Sequence, residues 1–375
     1  MPARQSTRRP DPRHALLLLS AVLAVASTGV ASADTVKVKN KSIAGTVVYA
    51  SPAGGVLLGD DDQTHEVGPA DLKTAKLTFP PAGRWARLVT KGTPARVTRI
   101  VGWDGRAFTA RDDKGATEKL PLDAIERITF FPVLAPDRML SFVPVPQKPD
   151  FCGEAVVEMV TSYLGRPVTQ DAVNRVAGLD GSRGVYGDEL ERVLGTLGVR
   201  TVGPIRHKII QTSNALAPNA LAADLPRLLR LLDEGRPTLL GIWNDPANKT
   251  NADQWACDHF VLLAGYDLAR GVIFVRDPNR TEVREIGFDE FADHRRSKFD
   301  NVFDIGFRLH RSWRLANGTT VDAECLQNDG KSVRLRTAAP AKEYTIPIAG
   351  FTPRDQAFLK AMRPFVARTL AVEKS

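Results

Sequence analysis

Three stretches of the chain repeat one pattern, and that pattern constrains their fold more than any other feature. Starting at Gly45, Ala95 and Val321, an alternating apolar run meets a tight turn, and a second apolar run returns. The turns fall at Gly54-Gly55, Asp104-Gly105 and Asp329-Gly330. Asx-Gly or Gly-Gly between alternating runs is a strong hairpin signal, because glycine reaches the positive φ that the tightest turns need. Each stretch then passes a polar turn into a third strand that ends in a short apolar segment. The pattern predicts three small antiparallel β-barrel-like modules, over residues 34–78, 79–137 and 311–361, with a tail over 362–375.

The region between the second and third modules, 138–310, reads differently. Val156, Met159, Val160, Tyr163 and Leu164 recur at helical spacing, and Gly165 is a suitable stop. Thr169 is placed to cap a second helix running to Val176. Leu190, Val193, Leu194 and Leu197 stripe a third, and Leu225 to Leu232 a fourth. Gly235 and Pro237 then break the helix, and Thr238 to Trp243 reads as a buried strand. Two more strands follow, "HFVLLAGYD" and "GVIFVRDPN", joined by a turn at residues 269–271. The expected class is α+β: a mixed central domain flanked by small antiparallel barrels.

The first 33 residues have the layout of an export signal. Arg4, Arg8, Arg9 and Arg13 precede the apolar run Ala15 to Ala26, and Ala31 to Ala33 supply the small residues of a cleavage site before Asp34. The run is short for a bilayer span, and no later segment is apolar enough for one. The chain is expected to be secreted or periplasmic, with no integral membrane segment after cleavage. Export implies an oxidising compartment. The three cysteines allow at most one internal disulfide, which excludes a disulfide scaffold. The net charge of +8 is spread without a long Lys/Arg block, which argues for a basic soluble surface and against a nucleic-acid partner.

One cysteine stands out. Cys152 opens the first helix of the central region, where unpaired backbone N–H groups and the helix dipole favour the nucleophilic thiolate. Gly153 beside it leaves room for a substrate to approach. Gln147, just upstream, can offer its amide to a developing oxyanion together with the Cys152 backbone N–H. A cysteine nucleophile also needs a base and a group to orient that base. His259 begins one strand and Asp277 ends the next. In an antiparallel hairpin those two ends are neighbours. The order Cys, His, Asp with a Gln ahead suits acyl transfer. No H-x-x-x-H or C-x-x-C spacing, P-loop or dinucleotide fingerprint occurs, so no metal or other cofactor is expected.

The blocks "QKPDFCGEAVVEMVTSYLG", "DHFVLLAGYD" and "VRDPN" resemble the three signature blocks of the bacteriocin-leader-processing (double-glycine) cysteine peptidases and their exported relatives. The resemblance implies a papain-like domain over 138–310. In it Cys152 is the nucleophile, His259 the general base, Asp277 the orienter and Gln147 the oxyanion donor. The implied activity is peptide-bond hydrolysis through an acyl-enzyme, on a peptide or protein substrate. An acyl or amide transferase on the same triad, or a silent peptide-binding scaffold, remains open at this level.

The stretch Arg311 to Leu359 is similar to the Sla-type homology domain, a Src-homology-3-like small barrel. It carries Arg311, Trp313 and Gly318 of that family's opening motif and Thr352, Asp355, Gln356 and Leu359 of its closing one. That resemblance implies an interaction or spacer module rather than chemistry, and a protein partner could bind through the small barrels.

Several neighbours qualify the site. Glu154 stands where the peptidase family has a proline, and a carboxylate close to the thiol would oppose thiolate formation. Asp150 is expected to cap the helix. Trp255, in the polar loop before His259, is a candidate wall for a substrate side chain. Cys257 could pair with Cys325, or with Cys152 as an off-switch.

Overall fold

The computed structural model describes residues 33–366 except 39–40, 60–62, 134, 211–214, 217, 244–258, 296–300, 339 and 363. Three antiparallel sheets carry the chain. The first contains β1 (Asp34–Val38), β2 (Lys41–Ser51), β3 (Gly54–Gly59), β4 (Thr64–Val67), β5 (Arg84–Thr90), β6 (Arg96–Trp103), β7 (Ala107–Arg111), β8 (Thr117–Pro121) and β9 (Ile125–Phe131). Its order is β4-β3-β2-β9-β5-β6-β7-β8, with β1 also on β2. A short helix, α1 (Pro69–Thr74), follows β4.

Two of the three expected hairpin turns form where their residues place them, whereas the first falls at residues 52–53 and Gly54-Gly55 open β3. Gly105 and Gly330 take φ of 88° and 83°. Oδ1 of Asp104 accepts the N–H groups of Arg106 and Ala107, and Oδ1 of Asp329 those of Lys331 and Ser332.

The division expected near residue 78 falls inside this sheet. β2 has eleven residues, enough to pair with β3 along most of its length and with β9 at Tyr49↔Thr129 and Ala50↔Ile128. One apolar cluster then takes Val36, Val47 and Leu57 from the first segment and Leu88, Ile100, Phe108 and Ile128 from the second. Asp34, fully buried, adds an ionic tie between them: its carboxylate accepts the Val47 and Thr78 N–H groups and pairs with Arg84. Two separate barrels are replaced by one sheet over one core.

The second sheet runs β12-β11-β17-β13-β14-β15-β16, with β10 also on β14. Its strands are β10 (Asp137–Met139), β11 (Thr201–Ile210), β12 (Ala215–Leu216), β13 (Thr238–Ile242), β14 (His259–Asp267), β15 (Val272–Arg276), β16 (Val283–Gly287) and β17 (Asn301–Phe307). The helices of this region are α2 (Cys152–Tyr163), α3 (Gln170–Ala177), α4 (Gly187–Thr196), α5 (Pro218–Asp233) and α6 (Phe291–His294). Thr169 caps α3 as expected, its hydroxyl accepting the Ala172 N–H. Gly165 stops α2 at φ 76°. The apolar faces of α2, α4 and α5 pack with the sheet in one core that includes Val156, Val160, Leu190, Leu228, Val261 and Leu263. Inside the region, the fully buried Arg295 bonds Asp224 of α5, Asp304 of β17 and the Gly241 carbonyl of β13.

The third sheet holds β18 (His310–Arg314), β19 (Thr320–Asn328), β20 (Ser332–Thr337), β21 (Glu343–Pro347) and β22 (Phe365–Val366), with helix α7 (Pro353–Ala361) alongside. The expected tail thus begins with a strand, β22 on β19. The opening and closing motif residues bind one another. Asp355 accepts from Arg311, from the Arg314 N–H and from the Thr352 hydroxyl. Trp313 donates its indole N–H to the Ala323 carbonyl, and its ring lies edge-on to Phe351 and Phe358.

Candidate active site

Cys152 is the first residue of α2 and is half-buried. His259 is the first residue of β14, and Asp277 directly follows β15, which pairs with β14. The hairpin therefore brings the imidazole and the carboxylate together. His259 Nε2 donates to Asp277 Oδ1 over 2.8 Å. The other ring nitrogen is left for the thiol, and Cys152 lies close enough to His259 to bear on its protonation. His259 and Asp277 are both buried, at 6% and 2% exposure.

The electrostatics follow from that burial. Desolvation alone would push His259 down. The hydrogen bond to Asp277 and the nearby Cys152, with the charge of both, outweigh it and raise the imidazole to about 9. The ring is therefore an imidazolium at neutral pH. Desolvation would likewise push Asp277 up, but the His259 hydrogen bond and charge, the Asn279 N–H and the Arg284 charge hold it below the usual aspartate range. Asp277 is also the turn residue that its "DPN" context suggests. Its Oδ1 accepts the Asn279 N–H at 2.9 Å and its carbonyl the Arg280 N–H at 2.9 Å.

Gln147 reaches the same region by its backbone, donating its N–H to the Pro278 carbonyl at 3.0 Å. Its Oε1 is buried without a hydrogen-bond partner among the described residues. A residue missed in the sequence holds this segment. Gln170, buried at the start of α3, donates its amide to the Pro146 carbonyl (3.0 Å) and accepts the Lys148 N–H (2.9 Å), bracketing Gln147 on both sides. The signal available in the sequence was an amide side chain directly after the Thr169 cap, at the start of a helix.

Three expectations change. Gly153 is buried, and a Cβ there would meet the Phe260 ring at 3.2 Å and Leu190 at 3.5 Å. Its bare Cα lets the helix start lie against β14 beside His259; that is packing, where the sequence suggested room for a substrate. Asp150 is no cap: it is exposed at φ 62°, Phe151 takes the cap position, and no side chain caps the helix. The Asp150 carbonyl instead lies over Gly184, where a Cβ would sit 1.9 Å from it. Glu154 points away from the thiol into the protein. Its Oε1 accepts from Asn174 Nδ2 and the Val185 N–H, both at 2.9 Å, and burial pushes its pKa up. The proline of the related family is replaced by a clamp on the 174–185 segment.

Trp255 and Cys257 lie outside the described residues. Cys152 and Cys325 carry free thiols. A cavity of about 780 Å³ between the first sheet, α5 and the 288–292 segment is lined by none of Cys152, His259, Asp277 or Gln147.

Residues 139–302 match the model of the Peptidase_C39 like family. The match spans the helix start, the His strand and the Asp turn, and it supports a C39-like peptidase domain in this part of the chain. Cysteine peptidase activity is the general activity that family suggests. No curated protein matches the chain.

Proposed function

We propose that the protein is a cysteine peptidase that cleaves peptide bonds with Cys152, His259 and Asp277. The observation that carries the reading is one imidazole bonded to a buried carboxylate at 2.8 Å and close enough to a thiol at a helix start for that thiol to raise its pKa. The Cys152 sulfur attacks the scissile carbonyl, and its proton resides on His259. The Gln147 amide and the Cys152 N–H support the oxyanion. The tetrahedral adduct collapses as His259 gives its proton to the leaving amine, leaving a thioester on Cys152. Water, deprotonated by His259, then attacks the thioester, releasing the acid and the Cys152 sulfur with the proton again on His259. Asp277 keeps the ring oriented throughout.

We also infer that the chain is exported and that cleavage before Asp34 yields the mature N-terminus; the Arg-rich start, apolar run and Ala31 to Ala33 support this. The third sheet is read as a Sla-type interaction module, supported by the mutual contacts of its motif residues.

The test is a peptide library incubated with the reduced protein and with Cys152→Ala. Cleavage by the first and none by the second is the expected result. Capture of the acyl group by an added amine in preference to water would make the protein a transferase. Binding without turnover, with a Cys152 that iodoacetamide does not alkylate at neutral pH, would make it a scaffold.

A further inference from the structure

The arrangement behind His259 is incomplete if it stops at Asp277. Oδ1 of Asp277 takes both the His259 and Asn279 hydrogen bonds. Oδ2 is buried and has no hydrogen-bond partner among the described residues. A carboxylate oxygen desolvated in this way is costly unless a cation faces it. Two guanidiniums do: Arg280 Nε lies 3.7 Å away and Arg284 Nη1 3.8 Å away. They differ in surroundings. The Arg280 side chain is 59% exposed, so water and salt screen it. The Arg284 side chain is 15% exposed and stands on β16, opposite Val275 of β15.

Arg284 also has an anchor. Its Nη2 lies 3.4 Å from His294 Nε2. Nδ1 of that histidine bonds the Trp243 carbonyl at 2.8 Å, which makes Nδ1 the donor and Nε2 the acceptor. Burial, then the Arg284 charge, lowers the His294 pKa against the opposing Trp243 hydrogen bond and the charges of Glu290 and Asp293. A neutral imidazole holds the guanidinium without cancelling its charge. Trp243 directly follows Ile242, which pairs with His259, so the anchor is tied to the strand beside the catalytic one.

We propose that Arg284 is a positioning residue of the active site, its guanidinium braced on His294 and holding the second oxygen of Asp277 in place behind His259. The inference rests on the peptidase reading for its purpose, but its test does not depend on turnover. Arg284 touches neither substrate nor sulfur; it acts through the carboxylate. The groups that bear on that carboxylate are His259, the Asn279 N–H, Arg280 and Arg284, with Cys152 beyond His259 and His294 beyond Arg284.

The test is a ¹³C carboxyl NMR titration of the full chain labelled at aspartate, with the Asp277 signal assigned by its loss in Asp277→Asn. Wild-type Asp277 titrates below the ordinary value of about 3.9. Removing a close opposite charge raises a carboxyl by about one unit or more, so Arg284→Met moves the midpoint up by that amount. Arg284→Lys, which keeps the charge, moves it less than half as far, and Arg280→Met moves it less than Arg284→Met. An unchanged midpoint in a folded Arg284→Met overturns the proposal. So does a larger shift in Arg280→Met, or a lysine variant that moves as far as methionine. Absence of peptide cleavage alongside the expected shifts would sink the peptidase reading and leave the role of Arg284 standing.

Discussion

Replacing Asp277 by Asn tests the site at its most quantitative point. Asn preserves the acceptor 2.8 Å from His259 Nε2 and removes only the charge. The rise of His259 from an ordinary value of about 6.5 to about 9 favours the imidazolium by roughly 3 kcal/mol. That gain is net of a burial term acting the other way. A single opposite charge within hydrogen-bonding distance accounts for about one to three units, and Cys152 supplies part of the total. The variant's midpoint therefore falls by about one to two units, so the ring loses its proton at lower pH. Because the folded pKa lies above the unfolded one, His259 contributes stability that is fully present below about 6.5 and is lost as the pH rises through about 9. The variant loses less stability across that window. Long-range ¹H–¹⁵N spectra resolve the imidazoles of a chain with six histidines, and His259→Gln identifies the signal. Urea unfolding across the same range gives the stability profile. A midpoint in Asp277→Asn equal to or above the wild-type value would refute the electrostatic account.

Other perturbations separate roles that the geometry keeps apart. Gln147→Ala should slow turnover by about 100- to 1,000-fold while leaving alkylation of Cys152 unchanged, since it removes an oxyanion donor and not the thiol's partner; parallel turnover and alkylation assays check it. Glu154→Gln should be tolerated within about 1 kcal/mol, because the amide oxygen still accepts from Asn174 and Val185. Glu154→Ala leaves those donors without their acceptor and should cost about 2–4 kcal/mol in urea unfolding. Cys325, buried with its thiol pushed up to about 12, should resist iodoacetamide in the folded protein and react on unfolding, read by mass spectrometry of the Cys325 peptide.

The juxtaposition of Cys152, His259 and Asp277, which we propose as the catalytic triad, was legible because each member sits at the end of an element, and element ends can be read from local pattern. A cysteine at a helix start and a His and Asp at the two ends of a hairpin need only the antiparallel pairing of β14 with β15 to meet. The helices of the central region were legible for the same reason, through apolar period and caps such as Thr169. What the sequence hid were contacts between distant segments. No periodicity announces that β9 will pair with β2, so one sheet read as two modules. Gly153 could be read as room for a ligand or room for a neighbouring strand, and only the placement of Phe260 decides. Glu154 lay at a position where its side chain could face the thiol or the core. The donors on Asn174 and Val185 that turn it inward come from another helix and another loop. Gln170 likewise acts across the fold, on Pro146 and Lys148.

Long-range contacts also fix where the strand that carries His259 lies. β14 is bounded by β13 along its first half and by β10 along its second, where the Arg138 carbonyl would lie 2.4 Å from a Cβ at residue 265. Glycine at 265 is what lets β10 approach that closely. Arg138 then ties β10 to the rest of the chain. Its fully buried guanidinium bonds Asp233 at the end of α5 and the carbonyls of Met362 and Pro364 beyond α7, while the Tyr266 hydroxyl of β14 donates to the same Asp233. A buried cation with three such acceptors is satisfied only when all three segments are docked. The sheet that presents His259 is therefore braced from the C-terminal module, at the end of β14 opposite the imidazole. Catalysis of the kind proposed needs His259 held relative to Cys152 to within a fraction of an ångström. That demand gives the third module a structural role in the proposed site.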